Sequence, residues 1–166
     1  MADKNNQNPV AEQPNLSQLL QIRRDKLKEL QDSGNDPFQI TRFAADNDSA
    51  NIKDNFDALE GKEVAIAGRL MSKRGMGKVS FCDLQDKSGR VQLYARRDEM
   101  DEAEYSRFKK YDIGDIVGVH GVVFRTQRGE MSVRVVTVTL LSKSLLPLPE
   151  KFHGLTSTEL RYRQRY

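Results

Sequence analysis

The chain of 166 residues contains one cysteine, Cys82, two histidines, His120 and His153, and no tryptophan. A single thiol excludes an internal disulfide framework. Two isolated histidines with no nearby Cys, Asp or Glu cluster do not make a metal site. No Ser-His-Asp or paired-carboxylate arrangement can be argued, so no catalytic residue is assigned. No stretch approaches the ~20 apolar residues of a membrane span. The opening MADKNNQNPVAEQP has no apolar run of the secretory kind. These absences predict a cytoplasmic protein without a membrane partner. A phosphate loop is absent too. Gly75-Met76-Gly77-Lys78 lacks the GxxxxGK(S/T) spacing and joins two strands instead of opening a helix. The net charge of +3 is mild, which permits a polyanionic partner without demanding one.

Four segments are predicted. Residues 1–14 are rich in Asn, Gln and Pro and read as a disordered tail. Residues 15–61 form a helical segment. Its main helix runs over 15–33, with Asn15 as N-cap, Gly34 as C′ residue, and an apolar stripe of Leu16, Leu19, Leu20, Leu27 and Leu30 around Arg23. Arg23, Arg24, Lys26 and Lys28 flank that stripe. They form a solvated face or contact phosphates, and the local sequence does not decide which. A second helix is expected from Asn51 to Leu59, with Ile52, Phe56 and Leu59 on one side. Residues 62–144 carry five strands, and residues 145–166 form a linker into something further.

The strands begin with EVAIAGRLMSKRGMGKVSFCDLQDKSGRVQLYA (63–95), three antiparallel strands with two tight connections. Val64, Ile66, Leu70, Cys82, Leu84, Val91 and Leu93 alternate inward. Arg69, Phe81, Gln92 and Tyr94 alternate outward. Phe81 has two readings: a ring on the surface, or a ring turned into the core by a bulge. A helix is expected over 98–111. A fourth strand follows over 116–125 and a fifth from Glu130 to about Leu141, with a bulge near Val136 where the alternation slips. Three strands, a helix and two strands is the order of an OB-fold, a five-stranded Greek-key barrel. Such barrels bind oligonucleotides or oligosaccharides on one face and on the first and last hairpin loops. Phe81, Gln92 and Arg69 fall on that face, and Arg74 and Glu130 at those loops. Cys82 reads as a small buried hydrophobe, and His120 as a strand residue with a local hydrogen bond.

AGRLMSKRGMGKVSF (67–81), LQDKSGRVQLY (84–94), FKKYDIGDIVG (108–118), GEMSV (129–133) and LLPLPEKFHGLTSTELRYRQRY (145–166) carry a resemblance. From Leu16 onward the chain resembles the N-terminal part of bacterial class II lysyl-tRNA synthetases. The resemblance implies that the barrel binds the anticodon stem-loop of tRNA(Lys). Phe81 then stacks on an anticodon base, Arg74 and Gln92 read the central uracil, Glu130 contacts the third base, and Arg69 helps hold the nucleotide. It also places the N-terminal helix near the anticodon stem, which favours the phosphate reading of Arg23, Arg24 and Lys28. In that family 155–166 open the first class II motif, which builds a homodimer interface. The sequence stops there, so the sites for ATP, Mg²⁺ and lysine are expected elsewhere in a longer enzyme. This part needs no cofactor and binds tRNA only, as a monomer or weak associate. The segment 155–166 alone is expected to be frayed.

Two alternatives stand beside this reading. One is the OB domain of a sibling aspartyl- or asparaginyl-tRNA synthetase, disfavoured by the MGKxSF and PLPxKxHGL wording. The other is a stand-alone OB module that binds single strands without sequence preference. A purely structural domain would require a buried Phe81.

Overall fold

Period-two alternation runs through five segments of the chain, and each becomes a strand of one barrel. The computed structural model describes residues 16–148 and residue 162. The expectations for the tail, for Asn15, for His153 and for the class II motif lie outside the described residues, Tyr162 excepted.

Helix α1 (Leu16–Asp32) ends as its sequence predicts. Gly34 takes φ 74°, the Asn35 N–H donates to the Leu30 carbonyl at 2.8 Å, and the Gly34 N–H donates to Gln31 at 3.0 Å. That pair of bonds is a Schellman cap. The apolar stripe is shallower than expected. No α1 residue is fully buried, Leu16 is 62% exposed, and Leu30 makes the contact with the core. Pro37–Gln39 form a 3-10 turn capped by Asp36. The expected 51–59 helix is two short ones, α2 (Ser49–Asp54, N-cap Asp48) and α3 (Phe56–Leu59), divided at Asn55. Ile52 and Phe56 join the core, with Leu59 packed against it.

The strands are β1 (Glu63–Met76), β2 (Val79–Gln85), β3 (Arg90–Arg96), β4 (Ile116–Arg125) and β5 (Met131–Ser142), with helix α4 (Glu102–Lys110) between β3 and β4. They close in the order β1-β2-β3-β5-β4, and this five-stranded barrel is the expected OB-fold. All pairings are antiparallel except β3–β5, which join in parallel over three residue pairs. Ile66, Leu70, Leu84, Leu93, Val117, Val119, Val123, Val133 and Val135 are fully buried inside. Each such side chain contributes about 1.5–3 kcal/mol by leaving water. Cys82 is buried among them, and burial pushes its thiol up to about 11.

Of the barrel's three bulges, one lies at the end of β5, where the register moves from Val117↔Leu140 to Ile116↔Ser142, and the other two bear on its faces. In β5 the register moves from His120↔Thr137 to Gly121↔Val135, so Val136 is the extra residue, where the alternation slips. In β1 it moves from Leu70↔Leu84 to Ser72↔Asp83, so Met71 is extra. The sequence reading missed this second bulge.

The segment before α2 lies on the outside of β1 and β4. The Phe43 ring sits against Gly118, where any Cβ would meet it at 2.5 Å. His120 meets that ring, with centroids 5.2 Å apart, and among the described residues its side chain makes no hydrogen bond of the expected kind. Ala65, which alternates away from the inward Val64 and Ile66, is covered here: the Asp46 carboxylate accepts its N–H, and the Asp46 N–H donates to its carbonyl. Ser49, at the start of α2, gives its N–H and hydroxyl to Asp86 in the β2–β3 loop at 2.6 and 2.7 Å. Burial alone would raise the Asp86 carboxyl, but these bonds and those from Ser88 outweigh it and bring the group to about 2.

Candidate nucleic-acid interface

The Met71 bulge decides which side chains reach the outer face at the end of β1. Up to Leu70 the even positions point inward. After Met71 the parity reverses: Lys73 pairs with Cys82 and faces in, and Arg74 pairs with Phe81 and faces out. The first hairpin is correspondingly tighter than expected. β1 continues to Met76, and the loop is Gly77-Lys78, with Gly77 at φ 62° as a two-residue II′ turn requires. Arg74 therefore sits on the strand, not in the loop. It is exposed, and no hydrogen bond or ion pair engages it among the described residues.

Phe81 lies half-buried on the outer face and outside the core cluster. Its ring is tilted against Tyr94, with centroids 5.2 Å apart, and Tyr94 meets Phe124 at 5.4 Å. Three rings thus form a continuous row. They floor a groove of about 630 Å³, which Arg74, Gln92 and Glu130 also line. Five arginines (74, 96, 125, 128 and 134) and two glutamates, Glu99 and Glu130, lie around it, a positive excess suited to a phosphate backbone.

Gln92 is held from two sides. Its Nε2 donates to Glu130 Oε2 at 2.8 Å, and Ser132 Oγ donates to its Oε1 at 3.0 Å. An amide has two N–H donors and two carbonyl lone pairs. Each of these bonds uses one, so a donor and an acceptor remain side by side. Glu130, at the end of the β4–β5 loop, sets the polarity of the amide.

The other expected residues are not brought to this groove. Arg69 lies before the bulge, paired with Gln85, and its Nη1 donates to the Gly114 carbonyl at 2.8 Å. It lines a second groove with Asp46, Asp48 and Asn51. Outward alternation was the right reading for Arg69, but it faces a different stretch of surface from Phe81. Arg23 is a tether. Its guanidinium donates to the carbonyls of Ser144 (2.8 Å), Leu146 (3.2 Å) and Ile113 (3.1 Å), so the phosphate expectation gives way to a structural one. Beside it Lys26 pairs with Asp112 at 2.6 Å, and Asp112 and the buried Asp115 both hold Lys143. Burial would raise the Asp112 carboxyl, but the two lysines hold it below the usual range. Arg24 and Lys28 remain exposed one helical turn apart.

Sequence reasoning missed Tyr94 and Phe124 as parts of the site. The signal was present: Tyr94 alternates outward with Gln92, and Phe124 outward against the buried Val119 and Val123. The role of Ser132, buried beneath the row, had no local signal. Among the described residues no group of His, Cys, Asp and Glu is placed to hold a metal ion.

Residues 64–141, which span nearly the whole barrel, match the tRNA anti-codon family, an OB-fold nucleic acid binding domain. The barrel is similar to the members of that family over nearly all its strands. The OB-fold with its flanks is also similar to proteins named lysine–tRNA ligase. That of Syntrophomonas wolfei is 55% identical over 152 residues, covering 92% of this chain and 31% of the relative. That of Clostridium perfringens is 53% identical over 150 residues (90% and 30%), and that of Clostridium tetani 47% over 159 residues (96% and 32%). The match lies in the N-terminal part of those enzymes, so the chain spans about a third of their length. No helix among the described residues is long and apolar enough to cross a membrane.

Proposed function

We propose that this chain is the anticodon-reading part of a lysine–tRNA ligase, and that its OB face binds the anticodon loop of tRNA(Lys). The observation that carries the proposal is the convergence of Arg74, Phe81, Gln92 and Glu130 on one groove from three strands and a loop. A base stacks on Phe81, with Tyr94 and Phe124 extending the platform. Stacking supplies affinity without choosing the base. The choice falls to the edge. Uracil shows two carbonyl acceptors and one N–H donor. The free donor and acceptor of Gln92 match one carbonyl and the N–H, and Arg74 donates to the other carbonyl. Cytosine reverses part of that pattern. Glu130 keeps Gln92 in register and offers its remaining oxygen to the third base.

The whole protein, on this reading, activates lysine with ATP and Mg²⁺, transfers it to the tRNA 3′ end, and works as a homodimer. Those steps use residues beyond this barrel. The chain is divided accordingly: a helical segment (15–61), the anticodon barrel (62–144) and the lead into the catalytic part (145–166). Relatives named lysine–tRNA ligase support the lysine assignment over its aspartyl and asparaginyl siblings.

The test is binding to two anticodon stem-loops at one fixed salt concentration. One carries UUU and the other has its central U changed to C. The expected result is a preference for UUU of roughly tenfold, since one good edge contact is worth about 1–3 kcal/mol. Equal binding refutes base reading and leaves a sequence-tolerant OB module.

A further inference from the structure

Lys73 is an ionisable residue on the inner side of the barrel wall. Its ammonium donates to the Phe108, Lys109 and Tyr111 carbonyls at 2.5, 2.9 and 3.0 Å. Those are carbonyls of the last turn of α4 and its cap, where a helix leaves acceptors over; that of Phe108 also accepts the Tyr111 N–H at 3.2 Å. All three ammonium donors are thereby used, at the negative end of the helix dipole. The nitrogen also lies 4.9 Å from the centroid of the Phe108 ring. Two packed elements are joined at this point, the far half of β1 and the C-terminus of α4.

The placement has a consequence one residue further along. Plain alternation from Leu70 would put Arg74 inside. It faces out because one extra residue, Met71, is inserted before it. The core fixes the register at Leu70 and the two-residue turn fixes it at Met76, so the place of the extra residue between them is weakly specified unless a large apolar side chain holds it. The stretch 72–75, Ser-Lys-Arg-Gly, contains none. A lysine held by three carbonyls supplies what is missing, because a slip by one residue would break all three bonds and turn Arg74 away from the groove. We infer that Lys73 is the positioning residue that fixes the β1 register and so presents Arg74 beside Phe81 for base recognition. The base-recognition half of this inference rests on the proposed anticodon reading; the register half does not.

The experiment uses the full chain with Lys73→Ser, which removes the ammonium without adding a large apolar side chain that would itself hold this strand face inward. Two readouts are taken. Cross-strand NOEs between residues 73 and 82 and between 74 and 81 report the register. The UUU-over-UCU preference of the stem-loops reports the function. The expected result is loss of both sets of NOEs while those of β2–β3 persist, and a fall of the preference to that of Arg74→Ala. The double variant Lys73→Ser/Arg74→Ala should lose nothing more. A simple helix cap would lower the melting temperature and leave both readouts in place. Persistence of the NOEs or of the full preference therefore overturns the inference. If Arg74→Ala alone leaves the preference unchanged, the anticodon reading at Arg74 fails, and the NOEs decide the register claim by themselves. Should Lys73→Ser fail to fold, Lys73→Ala, which likewise has no side-chain donor, is measured in the same way.

Discussion

Removing the Phe81 ring separates the platform from the scaffold. The ring is half-buried, packs on Tyr94 and contributes nothing to the core cluster. Phe81→Ala therefore removes an aromatic pair worth about 0.5–1.5 kcal/mol and roughly half of the burial energy of a full side chain, about 1 kcal/mol. A loss below about 3 kcal/mol leaves a domain of ordinary stability folded. Binding loses more in proportion. One stacked base is worth about 1–3 kcal/mol, or roughly 5- to 150-fold in Kd. No charge is removed, so the slope of log K against log salt should stay constant. Stacking does not distinguish bases, so the UUU and UCU loops should weaken together. The assay is a stem-loop titration at three salt concentrations with a thermal melt of the same sample. A variant that melts without cooperativity would make Phe81 a core residue. A folded variant whose affinity falls less than twofold would show that the row of rings is not where bases stack.

Two further outcomes follow from other parts of the molecule. Asp86 carries a depressed carboxyl, so its hydrogen bonds to Ser49 and Ser88 stabilise the fold above its unfolded value of about 4 and are lost as pH falls toward about 2. An acid titration followed by circular dichroism should show stability falling across that window, and Ser49→Ala should shift the fall to higher pH. Arg24→Gln with Lys28→Gln removes two exposed charges that have no ion pair among the described residues. Melting should be unchanged, the UUU preference should be unchanged, and the salt slope should shrink by about 1–2 if the pair contacts phosphates; an unchanged slope makes this side of α1 a plain solvated surface.

The barrel was legible because alternation is a local property. Each strand shows its inner face in its own residues, and the Val136 bulge appeared as a break in that rhythm. The Met71 bulge left no such break, since the four residues after Met71 (Ser72, Lys73, Arg74 and Gly75) carry no large apolar side chain and so no rhythm in which a slip could show. Its position depends on where the Lys73 ammonium ends, and that is set by a helix more than thirty residues later. Arg74 was therefore identified as a site residue but placed in a loop. Arg23 and Arg69 show the converse limit. A guanidinium on a helix or an outer strand face looks equally suited to RNA and to backbone carbonyls, and here both took the carbonyls of segments about 45 to 123 residues away. Phe124 and Tyr94 were readable individually. Their union into one row with Phe81 required β5 to come between β3 and β4, a fact of topology and not of any strand.

The parallel seam between β3 and β5 is short, and two of its residues, Gln92 and Ser132, also fix the amide that faces the groove. The seam joins parts of the chain forty residues apart, and such non-local pairing comes late and slowly in folding. A nascent or partly opened barrel thus has its rings and arginines but no oriented amide. Ability to tell one base from another is gained only when this seam closes, so base discrimination reports on the pairing of two segments forty residues apart.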